Sequence, residues 1–191
     1  MKKVFESSHF SQYRDFTLAH SELLSEEFRV SYSQKTKVFV SHKHGELLSL
    51  MDFIGFLSKE YDIEPYIDSQ DPSMPKTTNA ETAKRIKEKI DKCDKFILLA
   101  TEQAIESKWC NWELGYGDAK KYNQNNIAIL PMNNGGSTYN GNEYLEIYPH
   151  IVECVLGDKY SNGTLITPGY YVRTFNGQSY KLTPLKNWLR R

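Results

Sequence analysis

Short apolar runs alternate with amphipathic stretches through the middle of the sequence, and this alternation restricts the fold more than any other feature. Four runs have the length and apolar content of buried strands: 37–41, 64–68, 96–100 and 127–130. The stretches between them have the pattern of helices over 46–61, 78–93 and 102–122. Such strict alternation implies parallel strands joined by right-handed crossovers. We therefore predict an α/β fold, with a doubly wound, mainly parallel sheet and helices on both faces.

Both ends of the chain differ from this central pattern. We divide the chain into an N-terminal helical extension, a core, and a C-terminal extension that completes the domain: 1–35, 36–131 and 132–191. Apolar positions scattered among polar ones over 7–28 predict an amphipathic helix on the outside of the domain. Near the other end, Asn176 and Gly177 separate two apolar runs, which predicts a β-hairpin. The residues from Pro184 onward suit one short helix.

Composition narrows the possible function classes. Lysine plus arginine number 24 and aspartate plus glutamate number 24, so the net charge is zero and no basic surface for nucleic acid is expected. Three widely separated cysteines without a CxxC pair favour reduced thiols over a zinc or redox site. No stretch approaches the ~20 apolar residues of a membrane span. We expect a cytoplasmic protein with no membrane or nucleic-acid partner.

Residues that follow the predicted strands are the first candidates for a ligand site, because ligands bind beyond the carboxyl ends of parallel strands. In strand order, these candidates are Ser41 with His42, Asp68, and Thr101. Asp68 suits either ribose binding or capping of the loop that follows it. His42, His44 and Glu46 could be read as metal ligands, but the strand ends before them and a fourth ligand is lacking. No metal site is therefore predicted.

The segment 107–115 places an aromatic ring and a carboxylate on one predicted helix face. Trp109 and Glu113 are four residues apart, so one lies a turn above the other. This pairing suits cleavage of an N-glycosidic bond, because an oxocarbenium-like ribose needs a nearby negative charge. Nicotinamide leaves such a bond as a neutral molecule, so one carboxylate suffices. Spacing alone nevertheless favours a solvated helix residue for Glu113, and core packing for Trp109 or Trp112.

Several motifs of the sequence resemble the successive boxes of a TIR domain. They are Val38-Phe-Val-Ser-His42, Ile67-Asp68, the loop through Pro75, Phe96-Ile-Leu-Leu99, and Ser107-Lys-Trp-Cys-Asn-Trp-Glu-Leu114. The resemblance covers roughly residues 36–131 and implies the flavodoxin-like TIR fold. In enzymatic TIR domains the glutamate of the Trp-x-x-x-Glu pattern is catalytic, and its tryptophan lines the nucleotide site. The resemblance therefore implies these roles for Glu113 and Trp109.

The resemblance also implies a bacterial type of NAD⁺ glycohydrolase or cyclase. Such an enzyme releases nicotinamide and gives ADP-ribose, or a cyclic isomer that signals to a downstream effector. NAD⁺ is then the substrate, no cofactor is required, and Ser41, His42 and Asp68 are expected to bind it. Self-association through TIR surfaces is a further expectation. Residues 132–191 resemble the tails of antiphage TIR proteins of the Thoeris kind in general character only.

Two other functions stay open on sequence grounds. One is a non-catalytic TIR scaffold that acts by self-association, because some adaptors keep the glutamate that matches Glu113. Signalling TIR domains often carry Pro-Gly at the tip of the loop after the second strand, whereas Lys76 follows Pro75 here. This departure speaks against adaptor-type contacts through that loop. The other function is a nucleoside deoxyribosyltransferase-like reaction, which would use similar carboxylate chemistry on another N-glycoside.

Overall fold

The computed structural model describes residues 1–14, 35–67, 79–133 and 141–190, and within these ranges eight strands form one sheet. The strands are β1 (Phe5–Glu6), β2 (Lys37–Ser41), β3 (Glu64–Tyr66), β4 (Lys95–Ala100), β5 (Ile127–Asn133), β6 (His150–Cys154), β7 (Gly169–Phe175) and β8 (Tyr180–Pro184). Their order is β3-β2-β4-β5-β6-β7-β8, and β1 pairs with β5. All pairings from β3 to β6 are parallel, whereas β6–β7 and β7–β8 are antiparallel. The predicted α/β fold with a mainly parallel sheet is confirmed.

Helices cover both faces of the parallel part of the sheet. The α-helices in the described residues are α1 (Leu47–Tyr61), α2 (Ala80–Lys92), α3 (Glu102–Glu106), α4 (Lys108–Lys121) and α5 (Leu185–Trp188). Strand β4 is buried along its whole length, and its alternate side chains enter two separate cores. Ile97 and Leu99 pack with α1, whereas Phe96 and Leu98 pack with α2, α3 and α4. Burial on both faces explains the continuous apolar run of this strand.

The strand order reverses between β2 and β4. From β2 the chain passes to β3 on one side, and it then crosses to β4 on the other side. Both neighbours run parallel to β2, so the carboxyl ends of β2 and β4 lie side by side at one edge of the sheet. A doubly wound sheet binds its ligands at such a reversal, because the connections diverge there and leave a crevice.

The single helix predicted over 102–122 is interrupted. Ser107 has extended backbone angles, φ −73° and ψ 118°, which end α3 and start α4. Its hydroxyl oxygen accepts a hydrogen bond from the backbone N–H of Cys110 at 3.4 Å and so caps α4. A serine inside a helical pattern therefore marks a boundary here, because its side chain satisfies an N–H that a helix start leaves without a partner.

The amphipathic helix predicted over 7–28 does not form in its described part, residues 7–14. These residues make turns and a 3₁₀ helix over Ser11–Tyr13, and the remainder of the predicted helix lies outside the described residues. The segment also enters the core instead of lying on its surface. Phe5 and Phe10 are fully buried, and β1 pairs with the end of β5. The N-terminal residues thus belong to the packed body of the domain.

The same N-terminal segment is fixed to the middle of α1 by two contacts. The Arg14 guanidinium donates to both carboxylate oxygens of Asp52, at 2.6 and 2.8 Å, and the Asp52 side chain is 1% exposed. The carbonyl oxygen of Tyr13 lies so close to Gly55 that an added Cβ would stand 2.0 Å from it. Only glycine permits this approach, because such a contact is far below any van der Waals distance.

The C-terminal extension completes the sheet. The predicted hairpin is confirmed as β7 and β8, but its loop holds residues 176–179 instead of the two residues Asn176 and Gly177. The Asn176 side chain accepts from the backbone N–H groups of Gln178 and Ser179, and Gly177 has a φ of 92°. Helix α5 confirms the short helix predicted after Pro184. Strand β6, by contrast, has no counterpart among the predicted elements.

Candidate active site

The strand-order reversal brings polar side chains from β2, β4 and the helices after β4 to one place. Ser41 is the last residue of β2, and Thr101 comes directly after β4. Both are fully buried. Helix α4 packs on one face of the sheet and supplies Glu113, which is 1% exposed. Two of the sequence-predicted residues, Ser41 and Glu113, are therefore neighbours although 72 positions separate them.

A short hydrogen bond joins these two residues. The Ser41 hydroxyl donates to Oε2 of Glu113, with 2.6 Å between the oxygens. A buried carboxylate is costly unless hydrogen bonds stabilise it, and a donor hydroxyl stabilises the charged form. The interpretation of Glu113 as a solvated helix residue is excluded by this burial. The geometry instead holds a carboxylate in a fixed orientation at the edge where ligands bind.

His42 lies beside this pair and is 4% exposed. Its Nδ1 is 3.4 Å from the carbonyl oxygen of Val40, and its ring centroid is 5.7 Å from that of His44. The backbone carbonyl of His42 accepts a hydrogen bond from the Cys110 thiol at 3.3 Å. The loop after β2 is thus attached to α4 one turn before Glu113.

Trp109 is half-buried at the start of α4 and stacks on Trp112. The ring centroids are 4.9 Å apart and the planes are inclined by 21°. Trp112 stacks in turn on Tyr116, and the Lys87 ammonium lies 5.5 Å from the Trp112 ring centroid. Both indoles also pack against the core on this face of the sheet. The predicted core packing is therefore found for both tryptophans, while each retains some exposed surface.

Glu46, which the sequence offered only as a possible metal ligand, is a buried carboxylate at the same edge. Glu46 precedes α1 and is 6% exposed. It accepts a hydrogen bond from the Thr101 hydroxyl, with 2.7 Å between the oxygens. The sequence signal for this carboxylate was its position, five residues after the end of β2. On sequence grounds, we interpret that position only as a possible third metal ligand. Asp68, the remaining predicted site residue, lies outside the described residues.

Metal ligands, cysteine thiols and membrane-spanning helices are three further features that concern function. Within the described ranges, no group of three or more His, Cys, Asp or Glu side chains is arranged to hold a metal ion. Cys93, Cys110 and Cys154 are all buried and form no disulfide. Burial raises the pKa of the Cys93 thiol to about 12, which keeps it protonated at neutral pH. None of the described helices is long and apolar enough to cross a membrane.

Comparison with known proteins agrees with the motifs. The TIR domain family matches residues 38–145, which is more than half of the chain and includes Ser41, Thr101 and Glu113. The chain belongs to the TIR domain family. A relative of this TIR protein in Bacillus cereus (strain MSX-D12) is named "Probable 3' cyclic ADP-D-ribose synthase ThsB'". It is 26% identical over 195 residues, and the match covers 99% of this chain and 92% of the relative. The likeness thus extends through both ends of the TIR protein, beyond the family match.

Proposed function

We propose that this TIR protein is an enzyme that cleaves the nicotinamide–ribose bond of NAD⁺ and that Glu113 is its catalytic carboxylate. The observation that carries the proposal is the buried Ser41–Glu113 hydrogen bond at the strand-order reversal. A charged group that is hidden from water yet placed at a ligand-binding edge suits a functional role better than a stabilising one. The printed name of the Bacillus cereus relative, a cyclic ADP-ribose synthase, supports the same reaction class.

The chemistry needs one negative charge and no general acid. As the bond between the ribose C1 and the pyridinium nitrogen breaks, its electron pair moves to the nitrogen, and nicotinamide departs as a neutral molecule. Positive charge is left on the ribose, in an oxocarbenium-like state. The Glu113 carboxylate stabilises that charge, and the Ser41 hydroxyl fixes the orientation of the carboxylate through its hydrogen bond to Oε2.

The attacking oxygen decides the product. Attack by water on the ribose carbon gives ADP-ribose, whereas attack by a hydroxyl of the same nucleotide gives a cyclic isomer, and in both cases the oxygen releases one proton. We assign the cyclic product to this protein, in line with the printed name of the relative. Such a product can act as a signal to a downstream effector, and antiphage defence is the role we propose for it.

The other predicted site residues receive substrate-binding roles in this proposal. The exposed part of Trp109 would contact the nucleotide, and His42 and Asp68 would lie near the ribose.

Self-association of the protein through TIR surfaces would complete or regulate the site. Specific activity should then rise with protein concentration, and a constant specific activity over a wide range of concentrations would argue against this regulation.

Incubation of the purified protein with NAD⁺ tests the proposal. Free nicotinamide should appear together with a nucleotide that has the mass of cyclic ADP-ribose, whereas ADP-ribose as the sole product would contradict the cyclic assignment and leave the cleavage proposal intact. Deoxynucleosides added as competitors should not slow the release, which separates this enzyme from a deoxyribosyltransferase-like one. If no nicotinamide appears at any protein concentration, the buried Ser41–Glu113 bond is a structural contact and the scaffold function takes precedence.

A further inference from the structure

The proposed catalytic carboxylate belongs to a closed ring of contacts. The loop of residues 42–46 joins β2 to α1 and is attached at both of its ends. At the first end, the His42 carbonyl oxygen accepts from the thiol of Cys110 on α4. At the second end, Glu46 accepts from the hydroxyl of Thr101, directly before α3. The loop therefore links the starts of both helices that follow β4.

The Thr101 hydroxyl has a defined hydrogen-bond direction. It accepts the backbone N–H of Ala104 at 3.1 Å, which caps α3. A hydroxyl carries one proton, and the proton here points to Oε2 of Glu46 at 2.7 Å. Thr101 is fully buried and Glu46 is 6% exposed, so water does not readily replace either partner. Removing the hydroxyl would leave a buried carboxylate without this donor, which is costly.

Helix α3 connects this bridge to α4, the helix that carries Glu113. It comprises Glu102–Glu106 only, and Ser107 both ends it and caps α4. No loop separates the two helices, so a shift of α3 moves the first turn of α4. That turn carries Cys110, and Glu113 follows three residues later. The ring closes where Glu113 meets Ser41 at the end of β2.

We propose that the Glu46–Thr101 bridge is a positioning element for the reaction, with Glu46 and Thr101 as positioning residues that hold the Glu113 carboxylate against Ser41 at the end of β2. The inference rests on the proposed function, in which Glu113 acts on NAD⁺. It does not require Glu46 to touch the substrate. The hydrogen bond is the essential feature, because a glutamine at position 46 offers the same acceptor oxygen without the charge.

Paired substitutions in the full-length protein test the proposal. Thr101→Val and Glu46→Ala break the bridge, and we expect kcat to fall by about 10–100-fold with a smaller change in KM, as displacement of a catalytic group by about 1 Å produces. Thr101→Ser and Glu46→Gln keep a donor and an acceptor and should retain most of the activity. Thr82→Val is the matched control, because Thr82 is another buried hydroxyl in the first turn of a helix, on α2.

Hydrogen exchange supplies a readout that does not depend on activity. Peptides covering 42–46 and 107–114 should exchange faster in Thr101→Val and Glu46→Ala than in the wild type, and at the wild-type rate in Thr82→Val. Hydrogen exchange at the wild-type rate in the bridge variants would overturn the proposal. A wild-type kcat in Thr101→Val would also overturn it. So would an equal loss of kcat in Glu46→Gln and Glu46→Ala. If the wild-type protein releases no nicotinamide, the proposed function and the positioning role within it are both wrong. Faster exchange in the bridge variants would in that case still show that the loop 42–46 and helix α4 are coupled.

Discussion

The parallel strands β2, β4 and β5 and the antiparallel strands β6, β7 and β8 differ in how their buried polar side chains are bonded. At the carboxyl edge of the parallel part, Ser41 and Thr101 each donate to a buried carboxylate. In the antiparallel part, Arg173 is 8% exposed, its Nη2 lies 3.5 Å from Nδ1 of His150, and its Nε has no hydrogen-bond partner among the described residues. Its guanidinium lies 4.3 Å from the centroid of the Tyr180 ring. The buried polar side chains at the carboxyl edge thus share short hydrogen bonds that end on carboxylates, whereas the buried pair in the antiparallel part, Arg173 and His150, is joined only by a long contact of 3.5 Å.

The largest effect is expected from Glu113→Gln. The side chain keeps its size and its acceptor for Ser41 but loses the charge, so nicotinamide release should fall by about 10²–10³-fold or more while the fold is retained. Turnover with NAD⁺ and thermal unfolding measure the two outcomes. Glu153→Gln is the matched control, because Glu153 is half-buried in β6 and should leave turnover unchanged. Wild-type turnover in Glu113→Gln would remove the functional distinction between the two parts of the sheet.

A smaller effect is expected from Trp109→Ala. Loss of the ring should raise KM for NAD⁺ about two- to tenfold, since an aromatic contact contributes about 0.5–1.5 kcal/mol, and should change the ratio of cyclic to linear product. Trp112→Ala is the control, because Trp112 stacks on Trp109 and packs against the same core. The two variants should lose similar thermal stability. Equal kinetics in both variants would assign Trp109 to the core alone.

The antiparallel part should respond to pH through His150. Burial, with a further contribution from Arg173, lowers the pKa of His150 below its ordinary value of 6.5. The His150 imidazole therefore binds a proton more readily in the unfolded chain than in the folded chain. The free energy of unfolding should decrease as pH falls below 6.5. Urea unfolding between pH 7 and pH 5 measures this decrease. His150→Gln should flatten it, whereas His44→Gln, at an exposed histidine, should not. An unchanged slope in His150→Gln would place the acid sensitivity elsewhere.

The smallest effect is expected from Arg173→Met. Removing a buried charge avoids its desolvation, and losing the contact with Tyr180 costs about 0.5–2 kcal/mol, so the two changes nearly cancel. The free energy of unfolding should stay within about 1 kcal/mol of the wild type, with unchanged turnover. A loss of several kcal/mol together with reduced turnover would show that the antiparallel part also supports the site.

The fold was predictable where the signal was local. Strands such as β4 are continuous apolar runs that need no knowledge of their partners. Strand β6 is different, because its pairing with β5 is confined to Ile129 and His150, and its remaining pairs are with a distant strand, β7, and with Lys2. The break at Ser107 was missed for a related reason. Helical periodicity continues across it, and only the cap on Cys110 reveals the boundary.

The candidate site was predictable in part. Ser41 followed from its place at a strand end, and Glu113 from the resemblance to TIR domains. Neither argument indicated that the two side chains touch, because that contact depends on how α4 lies on β2. Glu46 could not be recognised for the same reason. Its partner Thr101 is 55 positions away, and no local pattern distinguishes a bonded glutamate from a solvated one.

Gly55 restricts how the N-terminal segment and helix α1 can change in related sequences. Its missing side chain makes room for the carbonyl of Tyr13, so every other amino acid at position 55 would push the N-terminal segment away from α1. Because the contact is with the backbone of Tyr13, a substitution at position 13 leaves it in place, whereas a side chain at position 55 requires the N-terminal segment to move. A homologue that has lost the N-terminal segment is released from this restriction and can carry a larger residue at the equivalent of position 55, whereas a homologue that retains the segment must keep glycine.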